Sequence, residues 1–204
     1  MKERGMIFNA EMVRAILDGR KTQTRRPFNW KRQPAMEMAE RDDGSLWPWA
    51  EDCERGGDIW FACPYGEIGD RIWVRETFRV HSRATDVATL VYRASVRNSW
   101  TEQTHRVPVA VCNKPATPEK WTPSIHMPRW ASRILLEIID VRVERLNSIT
   151  ESDAEAEGVT DTGFGDLLVD GFRYLWKSIY GDDSWQANPW VWVIEFKRVE
   201  GGAA

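Results

Sequence analysis

NAEMVRAILDGRKTQTRR, residues 9–26, is the stretch whose reading organises the chain. Its first half is a short amphipathic helix: Asn9 can cap the first free amides, and Met12, Val13, Ile16 and Leu17 fall on one face. Gly19 ends it, because glycine just past the last periodic residue takes the left-handed conformation that a helix C-terminus favours. The chain then enters RKTQTRR, which has far more hydrogen-bonding capacity than a connector needs. Between residues 14 and 32 seven lysines and arginines stand against the single acid Asp18, a local basic patch in a chain of net charge −3.

Length and composition bound the rest. With 204 residues and no linker, the chain reads as one domain spanning 1–204. Hydrophobic residues at 42% and charged residues at 29% are ordinary for a soluble protein, and no apolar run approaches the roughly 18 residues of a membrane helix. MKERGMIFN has positive charge with no apolar segment after it, so a cytoplasmic location is expected. Cys53, Cys63 and Cys112 lack any C-x-x-C spacing and read as reduced thiols. His81, His105 and His126 are scattered, so neither a metal nor a cofactor is expected. The 12 tryptophans are the unusual feature: many must be core, yet indole faces are also what unstacked bases stack upon.

Residues 6–8 read as a first strand. From 28 to 66 periodicity fades among prolines, glycines and acids, which marks an insertion; Trp47-Pro48-Trp49 within it packs the segment down or forms part of a lid. Residues 71–77 alternate as a strand with Ile72, Val74 and Glu76 on one face, so Glu76 is a carboxylate among apolar neighbours, open to a structural ion pair or a role at a site. Residues 88–94 and 107–112 are further strands. In KWTPSIHMPRW, 120–130, Pro123 and Pro128 fix the backbone, either to hold His126 and Arg129 toward a pocket or to make a packed connector.

Residues 132–146 form a strand with a charged alternate face in DVRVERL, and Thr150 to Asp153 has the form of a capping box. The short helix it opens carries Glu155 and Glu157 and stops at Gly158. A second helix runs from near Phe164 or Leu167 to Tyr180, with Phe172, Leu175, Trp176 and Ile179 at helical spacing. Residues 190–199 are a strand apolar on both faces, hence interior. Many strands, few helices and strands near both ends predict a mainly β (α+β) fold, closed or nearly closed into a barrel with helices at its mouth.

Gly19, Lys21 and Arg26 reproduce the G-x-K-x-x-x-x-R signature of the ASCH family, a branch of the PUA-like superfamily associated with RNA and modified nucleosides. GDRIWVRETF at 69–78, the A-E-A-E-G run at 154–158 and WVWVIEFK at 190–197 are similar to that family's later landmarks, in the same order. The whole resembles the longer ASCH proteins found in phages and prophages. The resemblance implies a PUA-like β-barrel with a few flanking helices and additions near 28–66 and 79–119. The partner it implies is a modified nucleoside or single-stranded RNA, with no membrane and no obligatory metal. In the small ASCH enzymes that deacetylate N4-acetylcytidine, a lysine and a threonine of the motif act with a glutamate of the A-E-x-E helix; by position these are Lys21, Thr24 and Glu157. Arg20, Arg25 and Arg26 beside them, with Glu76, His126 and Arg129, are the candidate substrate-binding residues.

Amide hydrolysis needs a nucleophile, an acceptor for its proton and a donor to the developing oxyanion; a threonine hydroxyl and a neutral lysine amine supply the first two. Lysine must be desolvated or crowded by cations to lose its proton, and Arg20, Arg25 and Arg26 have the right sign for crowding. A carboxylate close to Lys21 would favour the charged amine, so Glu157 is expected to orient substrate or shuttle protons. In a regular strand Lys21 and Thr24 face opposite ways, so an active pair requires a bulge or loop. The alternatives are a polar strand edge that binds single-stranded RNA without catalysis, or a ribonuclease using the same cleft with Lys21 as charge stabiliser.

Overall fold

The computed structural model describes residues 1–32, 35–54, 56–160 and 167–199. In chain order the strands are β1 (Glu3–Ile7), β2 (Gln23–Pro27), β3 (Glu37–Glu40), β4 (Leu46–Glu51), β5 (Asp58–Trp60), β6 (Arg71–Arg75), β7 (Phe78–Arg83), β8 (Val87–Tyr92), β9 (Thr104–Pro108), β10 (Leu135–Arg145) and β11 (Trp190–Arg198). The α-helices are α1 (Ala10–Leu17), α2 (Trp100–Gln103), α3 (Glu151–Ala156) and α4 (Leu168–Tyr180). The fold is mainly β with a few helices. The described residues form two compact units, each assembled from separated stretches: Met1–Gly19 and Asp70–Glu137 with residues 198–199 make the first, Arg20–Gly69 and Ile138–Lys197 the second.

In the first unit β1 runs parallel to β6, from Glu3↔Arg71 to Ile7↔Arg75, and the first residues of β10 pair antiparallel with β6. Gly5 lies opposite Trp73, and a Cβ there would stand 2.5 Å from the indole Cζ2. Gly5→Ala is therefore expected to overpack this strand pair, lowering stability by about 1–3 kcal/mol in a denaturant titration. After β1, Asn9 Oδ1 accepts the Met12 amide at 2.8 Å and α1 buries Val13, Ala15 and Ile16. Gly19 follows at φ +76°. The meander β7–β8–β9 encloses a second set of apolar side chains, among them Phe78, Val80, Leu90 and Tyr92.

In the second unit β11 lies between β10 and β2, with an unbroken register from Val191↔Pro27 to Glu195↔Gln23. This explains its two apolar faces. Val191 and Val193 pack with Leu146, Ala154 and the α4 residues Phe172 and Trp176, while Trp192 meets Phe28 and Trp47 at ring-centroid distances of 5.9 and 5.1 Å. The stretch read as an aperiodic insertion folds as the meander β3–β4–β5. β3 and β5 are only four and three residues long, and β4, LWPWAE, carries apolar residues on both faces, so no alternation shows in the sequence. Trp47 does pack, as one of the two readings expected. Of the two starts expected for the second helix, Phe164 lies outside the described residues and Leu167 is the N-cap of α4.

No closed barrel is found among the described residues. Among the described residues six strands pair with no other strand than their sequence neighbours in the two meanders, and β1 and β2 are edge strands. No described helix is long and apolar enough to cross a membrane.

Candidate functional site

Once Gly19 has turned the chain out of α1, residues 20–27 run along α3 and β11. Lys21 forms an isolated antiparallel bridge with Glu157; the Thr22 amide donates to Ala156 O at 2.8 Å, and Thr22 O accepts the Phe196 amide at 2.8 Å. Glu157 is held in turn by a local device. Thr150 accepts the Asp153 amide at 3.1 Å while Asp153 accepts the Thr150 amide at 3.0 Å, and α3 ends at Glu157 before Gly158 at φ +86°. A carbonyl at a helix end has no partner within the helix, and Lys21 uses this one. Lys21 Nζ donates to Glu157 O at 2.9 Å and to Glu157 Oε2 at 2.6 Å, with both side chains buried.

The pair sits at one end of a charged network on the same strand face. Arg25 Nη2 lies 3.1 Å from Glu144 Oε2 and 3.2 Å from Asp153 Oδ2. Arg142 pairs with Asp140 at 3.0 Å, Glu144 at 2.6 Å, Asp153 at 3.3 Å, and also with Glu195. Gln23 closes the group, donating to Asp153 at 3.3 Å and accepting from Arg142 at 3.1 Å. One junction is open. Arg25 Nη1 and Glu157 Oε1 are 3.6 Å apart, too long for a hydrogen bond, and neither atom has a hydrogen-bond partner among the described residues.

Burial pulls the Lys21 amine below its ordinary pKa, against the opposing pull of the Glu157 carboxylate and with help from Arg26 and Arg25. Burial pushes Asp153 upward, but the Thr150 amide and hydroxyl, with Arg25 and Gln23, outweigh it and hold the carboxyl at about 2. A depressed carboxyl contributes stability above its unfolded value of 3.8 and loses it as pH falls toward about 2. Melting temperature is thus expected to fall across that window, and Asp153→Asn to flatten the slope.

Of the three residues expected to act together, Lys21 and Glu157 meet. Thr24 does not join them: β2 pairs with β11 without a bulge, so alternation puts Thr24 on the face opposite Gln23 and Arg25. Arg25, expected to bind substrate, is buried among three carboxylates. Arg20 donates to Gly158 O at 3.0 Å, and Arg26 sits opposite Trp192 in the ladder. Glu76, His126 and Arg129 belong to the first unit. There Arg133 clasps Glu76 through two bonds of 2.9 and 3.0 Å and lies 4.0 Å over the Tyr92 ring, which is the structural ion pair left open by the sequence. His126 is exposed in a 3-10 turn, and Arg129 pairs with Glu3 at 2.8 Å. Sequence reasoning missed Glu144, Asp153 and Arg142 as members of the site. The alternating charges of DVRVERL were the signal that could have found two of them.

Among the described residues no cluster of histidine, cysteine, aspartate or glutamate could hold a metal ion. No family model matches the chain, and no curated protein matches it. Among solved structures it is similar to the crystal structure of an ASCH domain from Lactobacillus crispatus, at TM-score 0.42 and 12% identity, covering 97% of this chain and 79% of that one. A likeness this low carries nothing to the chemistry of the present site.

Proposed function

We propose that this chain is an ASCH-type protein that takes a modified nucleoside or single-stranded RNA and hydrolyses the amide between an acyl group and N4 of cytidine. What carries the reading is the 2.6 Å contact of Lys21 Nζ with Glu157 Oε2, across 136 positions of sequence. These are the residues that the motif resemblance pairs. Desolvation of Lys21 supports the same reading, since it favours the neutral amine that a general base must be.

In the proposed reaction Lys21 takes the proton of the Thr24 hydroxyl, and the hydroxyl oxygen attacks the acyl carbonyl carbon. The C–N bond breaks as Lys21 returns the proton to the departing N4 amine. Water then cleaves the acyl-threonine, releasing a carboxylic acid and restoring the hydroxyl. Glu157 positions Lys21, and its Oε1, which accepts no hydrogen bond among the described residues and lies 3.6 Å from Arg25 Nη1, accepts the substrate N4–H. Thr24 must turn to the Lys21 face, and a one-residue bulge at 22–24 would do this; because Lys21 is closed off from solvent, substrate entry and that turn are one motion in the proposal. The proposal treats the chain as one PUA-like domain in which 28–66 and 79–119 are additions. A separate three-stranded sheet within 37–60 and another within 78–108 support this.

A binding-only reading rests on a different observation, the opposite facing of Thr24 and Arg25 on an unbulged strand. It predicts affinity for single-stranded RNA that falls steeply with salt, because lysine and arginine contacts release counterions. The deciding experiment incubates the purified protein with a panel of N4-acylated cytidines and with single-stranded RNA, following products by mass. Deacylated cytidine is the expected product; unchanged nucleosides with salt-sensitive RNA binding would replace the hydrolase by the binder.

A further inference from the structure

The second unit holds a cleft of about 690 Å³ that the proposed reaction does not use. Ligand sites of about 300–1,000 Å³ are usual. Trp47, Trp60, Asp140 and Arg142 line it, and Arg41 and Asp43 come from the turn that joins β3 to β4. The aromatic wall is fixed. Trp47 donates its indole N–H to Phe61 O at 2.8 Å and packs edge-on against Trp192, and Trp60 is in the ladder opposite Trp49. The turn is fixed as well, with the Arg41 amide on Ser45 O and the Gly44 amide on Arg41 O, both at 2.9 Å.

A guanidinium already occupies this wall. Arg41 Cζ lies 4.1 Å from the Trp47 ring centroid and 5.3 Å from that of Trp60. The faces of the two indoles are negative and draw a cation. Asp43, Glu67 and Asp140 line the cleft with two guanidiniums; Arg142 pairs with Asp140 at 3.0 Å, which leaves the charges of Asp43 and Glu67 facing Arg41. With Arg41 swung aside, an aromatic wall and an excess of negative charge would face the opening. A solvent-accessible cation–π contact corresponds to roughly a two- to fivefold bias in an equilibrium, which sets the scale on which a second guanidinium competes with Arg41.

The geometry points to this cleft as a receptor for a guanidinium group carried by a ligand, which replaces Arg41 over Trp47 and Trp60. The inference stands apart from the proposed hydrolase: it uses neither Lys21 nor Glu157.

Calorimetric titration of the full chain tests it, with free arginine, a Gly-Arg-Gly amide peptide, citrulline and cytidine as probes. Citrulline has the shape of arginine without the charge. Arginine is expected to bind one to one and citrulline not at all. Arg41→Ala should tighten arginine by about two- to fivefold by removing the internal competitor, and Trp60→Leu should weaken it by a similar factor or more. Should Trp60→Leu fail to fold, the arginine–citrulline contrast and Arg41→Ala still decide. Tighter binding of the peptide would place the guanidinium on a polypeptide, equal or tighter binding of free arginine on a small molecule; both support the inference. It is overturned by equal binding of citrulline, by cytidine binding in place of arginine, by arginine binding that Arg41→Ala leaves unchanged or weakens, or by no arginine binding to either protein.

Discussion

Lys21→Arg is expected to abolish turnover of an N4-acylcytidine while leaving nucleoside binding in place. Arginine keeps the positive charge that faces Glu157, but it stays protonated at any working pH and cannot take a proton from Thr24. Loss of a general base costs about 10²–10⁴-fold, far outside the scatter of a rate assay. The position is fully buried and an arginine is larger, so a melting curve accompanies the assay to separate lost chemistry from lost fold. The binding-only reading expects the reverse: a near-silent Lys21→Arg, and RNA affinity that drops in Lys21→Ala together with Arg26→Ala. Wild-type turnover by a folded Lys21→Arg protein would end the general-base role.

Glu157→Ala should lower stability by about 3–5 kcal/mol, the usual cost of removing one partner from a buried pair. The penalty comes mainly from Lys21, which would keep its backbone acceptor but lose the carboxylate at 2.6 Å, and in part from Arg25, whose buried Nη1 loses a carboxylate oxygen at 3.6 Å. A second variant isolates the cause. In Lys21→Met with Glu157→Leu no charge of the pair is left buried, and such replacements are often neutral or stabilising, so the double variant should recover most of the loss. Denaturant titrations of the two proteins measure both. A loss below about 1 kcal/mol in Glu157→Ala would mean that Lys21 carries no buried charge in the variant, because it is either solvated or neutral there.

Much of the local structure was legible because its causes are local. Asn9, Gly19, the Thr150–Asp153 box and the helical spacing of Phe172 and Trp176 each act within a few residues, and each is where the sequence places it. The closing strand was legible too, since a strand covered on both faces must be apolar on both. Longer reach was not legible from spacing. Glu76 signalled a partner, but nothing marked Arg133, 57 residues away. A run of charge does not reveal burial, so Arg25 read as a substrate contact when it belongs to a network with Glu144 and Asp153. Lys21 and Glu157 were joined only by the motif resemblance, and the opposite facing of Thr24 was foreseeable from a period of two wherever the strand stays regular.

The most direct test is the pH dependence of kcat/KM on N4-acetylcytidine, measured for wild type and Lys21→Arg side by side. A general base acts only when deprotonated, and burial sets the Lys21 amine below 10.5. The account predicts that wild-type kcat/KM rises with pH through an apparent pKa below that value, and that the rise is missing in Lys21→Arg. No turnover at any pH, or the same rising profile in both proteins, would contradict it.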